Sequence, residues 1–211
     1  MKLYYSPGAC SLAAHIVLRE ADRRFDLERV DLKTKRTASG RDYIEINPKG
    51  YVPALELDGG SEILTEVQVI LQYVADLAPE QHLIAAPGTL ARYHTQEMLA
   101  FIATELHKQF SPLFKHDTPP AVQATQRGKI SDRLTYLQDV LADRAFLMGE
   151  TFSAPDAYLF VMLQWGHKLG IDIPLWPILD DYEQRIAHRP AVEAALAAEG
   201  LLRHPRQRKT A

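Results

Sequence analysis

The chain is poor in cysteine. It has one, Cys10, among 211 residues. A single thiol cannot close an internal disulfide, so nothing points to an oxidising compartment. Long apolar runs are missing as well. No stretch approaches the roughly 18 apolar residues of a membrane span, and Met1-Lys2-Leu3 leads straight into a strand-like segment instead of an export signal. The expectation is a soluble cytoplasmic protein with no membrane partner. Neither sign of charge dominates: 24 basic against 27 acidic residues leave a net charge of −3, which gives no global pull toward nucleic acid. No set of His, Cys, Asp and Glu has metal-ligand spacing, so no metal is expected, and there is no Gly-rich phosphate loop. Internal repeats and low-complexity tracts are absent too.

Apolar residues make up 46% of the chain, enough to bury a sizeable core in one or two domains. The first 80 residues differ from the rest. "KLYYS" (2–6) has strand character and is broken by Ser6-Pro7-Gly8. Leu12, Ile16, Val17 and Ala21 then recur at helical spacing. "FDLERVDL" (25–32) alternates imperfectly and reads as a strand. The polar stretch 33–50 reads as a loop with one short helix, ending at Asn47-Pro48. "VPALEL", "DGG" and "SEIL" form a hairpin pattern, and 65–78 is helical. The order β-α-β-α-β-β-α predicts a parallel crossover with an antiparallel hairpin, the pattern of a thioredoxin-like domain over residues 1–80.

Residues 78–88, bounded by Pro79 and Pro87, read as a linker. An all-helical domain is expected over 87–202. One helix runs from about Thr89 to Phe110, and another from Pro119-Pro120 to about Asp143. A third starts at Ser153, with Asp156 in the capping-box position. A fourth opens at Pro174 and Pro177, and the last at Pro190. The remaining segment, 203–211, reads as a basic solvated tail.

Cys10 falls at the start of the first helix. Unpaired N–H groups and the positive helix end stabilise a thiolate there, and cysteine pKa values at such places fall to about 3.5–7.5. A small buried apolar residue fits the position equally well. The run Cys10-Ser11-Leu12-Ala13 lacks a second cysteine, so a dithiol cycle is excluded and any partner thiol comes from outside, most simply glutathione. Val52-Pro53 precedes the hairpin, where thioredoxin-like folds place a cis-proline whose preceding residue offers its backbone to a peptide-like ligand; an edge-strand proline reads the same way. Glu66 opens a helix whose N–H groups can hold a carboxylate while the side chain accepts from an ammonium; a helix-start glutamate has the same look. The three places together fit glutathione, from its cysteine to its γ-glutamyl end.

The segments "MKLYYSPGACSLAAHIVLRE", "INPKGYVPAL", "LTE…ILQYVAD" and "GETFSAPDAYLF" resemble the glutathione S-transferase family, in particular its bacterial beta class, over roughly residues 1–202. The resemblance implies an enzyme that activates the glutathione thiolate and conjugates it to a hydrophobic electrophilic small molecule. It implies a homodimer, with glutathione as co-substrate. Cys10 would lie near the glutathione sulfur, with Lys35, Val52, Pro53 and Glu66 along the tripeptide. Val67 stands where the family usually has a serine, so its N–H remains but the hydroxyl is gone. "ATELHKQF" (103–110) matches the segment with the functional histidine, His107, and its neighbour Lys108; Thr104 and Glu105 match residues that reach the partner subunit's glutathione. Thr104, His107 and Lys108 share a face if the segment is an α-helix. Trp165 matches an aromatic of the electrophile pocket, and plain helix packing accounts for it as well. Other classes use an early tyrosine or a serine as donor to the thiolate, which singles out Tyr5 and Ser11. Two further readings stand beside the first: a thiol transferase or reductive dehalogenase that uses Cys10 covalently, and a non-catalytic binding protein on the same fold.

Overall fold

The structure is a computed structural model that describes residues 1–60 and 62–202; the basic tail expected over 203–211 lies outside them. Strand β1 (Lys2–Tyr5) alternates as a strand must. Leu3 and Tyr5 enter the main core, while Tyr4 joins Val30, Tyr43 and Val52 on the other face. Helix α1 (Ser11–Glu20) carries the chain to β2 (Asp26–Asp31), which runs parallel to β1 with Leu3 opposite Leu27. Strands β4 (Ala54–Glu56) and β5 (Ile63–Thr65) form the antiparallel hairpin, and β4 also pairs antiparallel with β1.

One element was not expected. A two-residue strand, β3 (Arg36–Thr37), folds back on β2, giving a sheet of five strands in the order β3-β2-β1-β4-β5 among the described residues. Its cause is local. The Asp31 carboxylate accepts from the N–H groups of Lys33 and Thr34 at 2.8 and 3.2 Å, and Lys35 turns the chain at φ 57°. Two residues have no periodicity to read. A short helix α2 (Tyr43–Ile46) follows, with the Asp42 side chain accepting from Ile44 N–H at 2.9 Å. Helix α3 (Val67–Asp76) completes the N-terminal domain, which is the expected thioredoxin-like mixed sheet with helices.

Beyond it the described residues are helical: α4 (Leu90–Phe101), α5 (Lys108–Phe110), α6 (Pro120–Val140), α7 (Ala154–Lys168), α8 (Pro177–Ala187) and α9 (Pro190–Ala198). The continuous α-helix expected from Thr89 to Phe110 is corrected here. Ile102–His107 forms a π-helical turn between α4 and α5. The apolar positions Leu99, Ile102, Leu106 and Phe110 stay buried through it, so the hydrophobic pattern continues unbroken and gives no sign of the wider turn. Such turns gather at functional sites.

Helix α7 is the centre of this half and is buried along most of its length. Its start follows the sequence: Asp156 accepts from Ser153 N–H at 2.8 Å, as a capping box requires. Asp156 also accepts from Leu147 N–H at 2.8 Å and from the Tyr182 hydroxyl at 2.7 Å. The halves meet through α1, which packs on α7 and α9 as well as on α3. This explains why Ser11 to Leu18 are all buried instead of showing one apolar stripe. Arg92 on α4 grips Asp76 on α3 with two bonds of 2.6 and 2.8 Å, and Ala154 N–H donates to Leu83 O at 2.8 Å. Among the described residues, no helix is long and apolar enough to cross a membrane.

Candidate functional site

Cys10 is the N-cap of α1. Its side chain is buried, and Sγ–H donates to the Val52 carbonyl at 3.3 Å. The Val52–Pro53 peptide is cis, and both residues are buried. Burial pushes the Cys10 thiol up to about 12, although the N–H groups of Cys10 and Ser11 and the Lys108 ammonium all pull it down. The expected lowering at the helix start is therefore outweighed. The helix end favours the thiolate by partial charges, whereas desolvation in this packed corner penalises it more. Cys10 in this structure is a protonated thiol and a hydrogen-bond donor.

Glu66 caps α3 at φ 68°, a left-handed backbone that is costly for a residue with a side chain. Its carboxylate accepts from Lys49 Nζ at 2.6 Å, and the same ammonium reaches Thr65 Oγ1 at 3.0 Å. Both partners are almost half exposed, so the pair adds little stability. Glu66 is close enough to raise the Cys10 thiol. Val67 is buried in the core just beyond it. Lys35 is half-buried, with Nζ donating to Gly50 O at 2.6 Å, on the same Asn47–Gly50 turn that carries Lys49.

The helical domain supplies the opposite wall. His107 ends the π turn, and its Nδ1 is joined to the Tyr158 hydroxyl at 2.6 Å. Burial, helped by the Lys108 charge, lowers its pKa to about 4, so the imidazole is neutral at pH 7. Burial also holds the Tyr158 hydroxyl protonated, with Cys10 and Glu66 among the groups it senses. The Trp165 ring meets His107, Phe110 and Phe114 edge-on at 4.9, 5.8 and 4.8 Å. Lys108 is exposed, yet its charge reaches both Cys10 and His107.

Four expected residues lie differently. Tyr5 packs its ring 6.3 Å from that of His15, and burial, then the Glu199 charge, raises its hydroxyl. Ser11 Oγ is used inside its own turn, accepting from Ser6 N–H at 3.2 Å and donating to Ser6 O at 3.3 Å. Among the described residues, no hydrogen bond joins either hydroxyl to Cys10. Thr104 is exposed and donates to Ala100 O at 3.0 Å, and Glu105 accepts from Arg133 at 2.9 Å. Because the π turn replaces α-helical spacing, Thr104 does not share the half-buried setting of His107.

Sequence reasoning missed Lys49, Tyr158, Phe110 and Phe114. Lys49 had a signal, as a basic residue in the "NPKG" turn before the Val-Pro. Tyr158 lies inside the quoted "FSAPDAYLF" segment but is brought to His107 only by the crossing of α7 with the π turn. Among the described residues, no cluster of three or more His, Cys, Asp and Glu is placed to hold a metal ion. A groove of about 1250 Å³ also opens between α3, α4 and α6, lined by Met98, Phe101 and Tyr136, but Cys10, Val52, Glu66, His107 and Trp165 do not line it.

A thiol beside a cis-proline loop, a carboxylate at a helix start and an aromatic cluster from a helical half define a two-part protein whose first half has the thioredoxin-like fold. Known proteins agree. The pattern of the glutathione S-transferase N-terminal domain matches residues 8–77, and that of the C-terminal domain matches 101–190. Glutathione S-transferase GstA of Escherichia coli O157:H7 is 47% identical over 201 residues, covering 95% of this chain and 100% of the relative. A sphingomonad glutathione S-transferase complexed with glutathione superposes with a TM-score of 0.92 at 46% identity, covering 96% of this chain and 100% of the other. The beta-class enzyme of Sphingomonas chungbukensis gives the same TM-score, identity and coverage. The chain belongs to the glutathione S-transferase family, within its bacterial beta class.

Proposed function

We infer that the protein is a glutathione transferase that holds glutathione as its thiolate and delivers it to an electrophilic carbon. One observation supports the reading: the Cys10 thiol bonds the Val52 carbonyl and senses Glu66 and Lys108, and His107, edge-on to Trp165, senses the same two charges. The tripeptide runs along the loop before β4. Its cysteinyl backbone pairs with Val52, whose carbonyl is freed as the Cys10 S–H turns from it to the glutathione sulfur. Its α-ammonium goes to Glu66, displacing Lys49, and its α-carboxylate to the N–H of Val67 at the start of α3. Lys35 serves the other end of the peptide.

The chemistry is simple to balance. The glutathione S–H bond breaks, its proton leaves for solvent, the sulfur forms a bond to carbon, and the leaving group departs with its electron pair. Lowering the thiol pKa by about two units corresponds to roughly 2.7 kcal/mol of preferential stabilisation of the anion. The donors are the Cys10 S–H and the N–H groups at the start of α1, with Lys108 adding positive potential. Holding sulfur and carbon together supplies the larger share. Trp165, Phe110 and Phe114 offer an aromatic surface to a hydrophobic electrophile, and neutral His107 stands at its border with the sulfur.

The covalent alternatives are not favoured. A buried thiol raised to about 12 is a poor nucleophile at neutral pH, which speaks against a mixed disulfide or reductive dehalogenation as the main task. A mere binding protein has no need of a sulfur-facing donor. The cytoplasm, whose glutathione pool keeps cysteines reduced, is the compartment that suits this reading. Thr104 bonds to Ala100 and Glu105 to Arg133 within the helical half, and the role that the family gives them requires a homodimer. Light scattering should return twice the 23.8 kDa chain mass, and a monomer would remove that role.

The deciding experiment pairs calorimetry with glutathione and a conjugation assay with an activated aryl halide. Binding together with turnover is expected. Folded protein that takes up neither reduced nor oxidised glutathione would overturn the assignment.

A further inference from the structure

The turn that presents Cys10 is held from outside its own domain. Ser6-Pro7-Gly8-Ala9 closes with Ala9 N–H donating to Ser6 O at 3.0 Å. Gly8 sits at φ 68°, where a side chain would be strained. Both of its backbone polar groups are taken by side chains of the helical domain. Its N–H donates to Glu199 Oε2 at 2.9 Å, and its carbonyl accepts the indole N–H of Trp165 at 2.8 Å. Trp165 comes from α7, while Glu199 caps the end of α9.

Glu199 is itself fixed. Its other oxygen is joined to His15 Nδ1 at 2.9 Å, and both side chains are wholly buried. Arg19 Nε donates to His15 Nε2 at 2.9 Å. Arginine can only donate, so Nε2 offers its lone pair and the ring proton sits on Nδ1, aimed at Glu199. A line of oriented groups therefore runs from the Arg19 charge through His15 and Glu199 to the Gly8 N–H. Packing alone does not call for such a residue, since apolar replacements of buried ion pairs are often neutral or stabilising. What an apolar side chain cannot do is fix the direction of a backbone N–H.

We propose that Glu199 and Trp165 are positioning residues of the transferase reaction: they clamp Gly8 from two sides and so fix where the Cys10 thiol and the first N–H groups of α1 meet the glutathione sulfur. The proposal rests on the glutathione transferase reading above. Those N–H groups already act on sulfur in this structure, because the Cys10 and Ser11 amides pull the Cys10 thiol down. Gly8 is two residues before Cys10, so a tilt of its peptide moves the whole donor set. Angular errors of that kind cost charge-stabilising donors much of their effect. Trp165 thereby has two tasks, with its ring edge against His107 and its N–H on the turn.

The test uses the full chain and the variants Glu199→Gln, Glu199→Ala and Trp165→Phe. A glutamine can serve the Gly8 N–H or the His15 N–H through its carbonyl, but its amide meets the other as donor against donor. A phenylalanine keeps an aromatic wall and loses only the indole donor. Three quantities are read: kcat/KM for an activated aryl halide across pH, the thiolate absorbance of bound glutathione titrated against pH, and the thermal midpoint. Each variant is expected to lower kcat/KM roughly ten-fold and to raise the bound-thiol midpoint by about one pH unit. The double variant Glu199→Gln/Trp165→Phe should be no worse than about the poorer single, because both act on one peptide. A wild-type thiol midpoint in Glu199→Gln and Trp165→Phe, whatever their thermal midpoints, would overturn the clamp. Should Glu199→Ala fail to fold, those two still decide. Wild-type protein that binds glutathione but turns over no electrophile would sink the transferase reading, while the absorbance titration would still decide the clamp.

Discussion

Cys10 Sγ lies 3.3 Å from the carbonyl oxygen of Val52 and donates its S–H hydrogen bond to it. The lone thiol of the chain is thus engaged with the very backbone group that the tripeptide is proposed to use. Cys10 therefore acts as a donor, and its removal should be mild. A neutral hydrogen bond contributes about 1 kcal/mol, so Cys10→Ala should keep aryl-halide conjugation within roughly ten-fold. Alkylation of the free protein by iodoacetamide should be slow at neutral pH and accelerate only toward the thiol's value of about 12. Fast labelling at pH 7 would contradict the donor role. The linkage has a definite sign. A thiol raised above its ordinary value of 9.0 supports folding fully below that value, and the support is lost as pH climbs from about 9 to about 12.

His107 behaves in the opposite sense. Its pKa falls from an ordinary 6.5 to about 4, chiefly through burial. The unfolded chain binds the proton more readily, so this contribution to stability is intact above 6.5 and is lost as pH falls toward 4. Urea midpoints measured between pH 7 and 4 should decline, and His107→Phe should flatten that decline. An identical slope in the variant would show that other groups control the acid limb.

Val67 is buried at the first position of α3. A Val67→Ser variant gains a hydroxyl beside the proposed α-carboxylate site and loses apolar packing. Its KM for glutathione should fall about five-fold, from one added hydrogen bond, while stability drops by about 1–2 kcal/mol. An unchanged KM would place the γ-glutamyl end elsewhere.

Asp156 gathers donors from Leu147, Ser153 and Tyr182 in the buried heart of α7. Asp156→Ala leaves them without an acceptor and should cost about 3 kcal/mol or more, read as a lowered urea midpoint. Catalysis per folded molecule should change little, because these groups touch no part of the proposed glutathione site.

The sequence carried the architecture where physics is local or periodic. The Ser-Pro-Gly break, the hairpin and the Ser153/Asp156 cap each depend on neighbours a few residues away. The site was legible in part for the same reason: Cys10, Val52 and Glu66 each stand at an element boundary that the sequence marks. What escaped reading is what needs three dimensions. The polarity of the Cys10 corner decides its protonation, and that corner is closed by Val52, 42 residues on. Lys49 reaches Glu66 across a turn. Tyr158 meets His107, and Glu199 meets Gly8, only because helices cross. The π turn of Ile102–His107 leaves the apolar spacing untouched, so periodicity is silent about it.

Helix α1 is enclosed on three sides, by α3 from its own domain and by α7 and α9 from the other. Ala13, Ala14 and Val17 are wholly buried in that company. Severed near residue 80, the N-terminal domain would bare the apolar flank of α1 that packs on α7 and α9. A single calorimetric transition is therefore expected, and a change that loosens α9 should be felt at the start of α1.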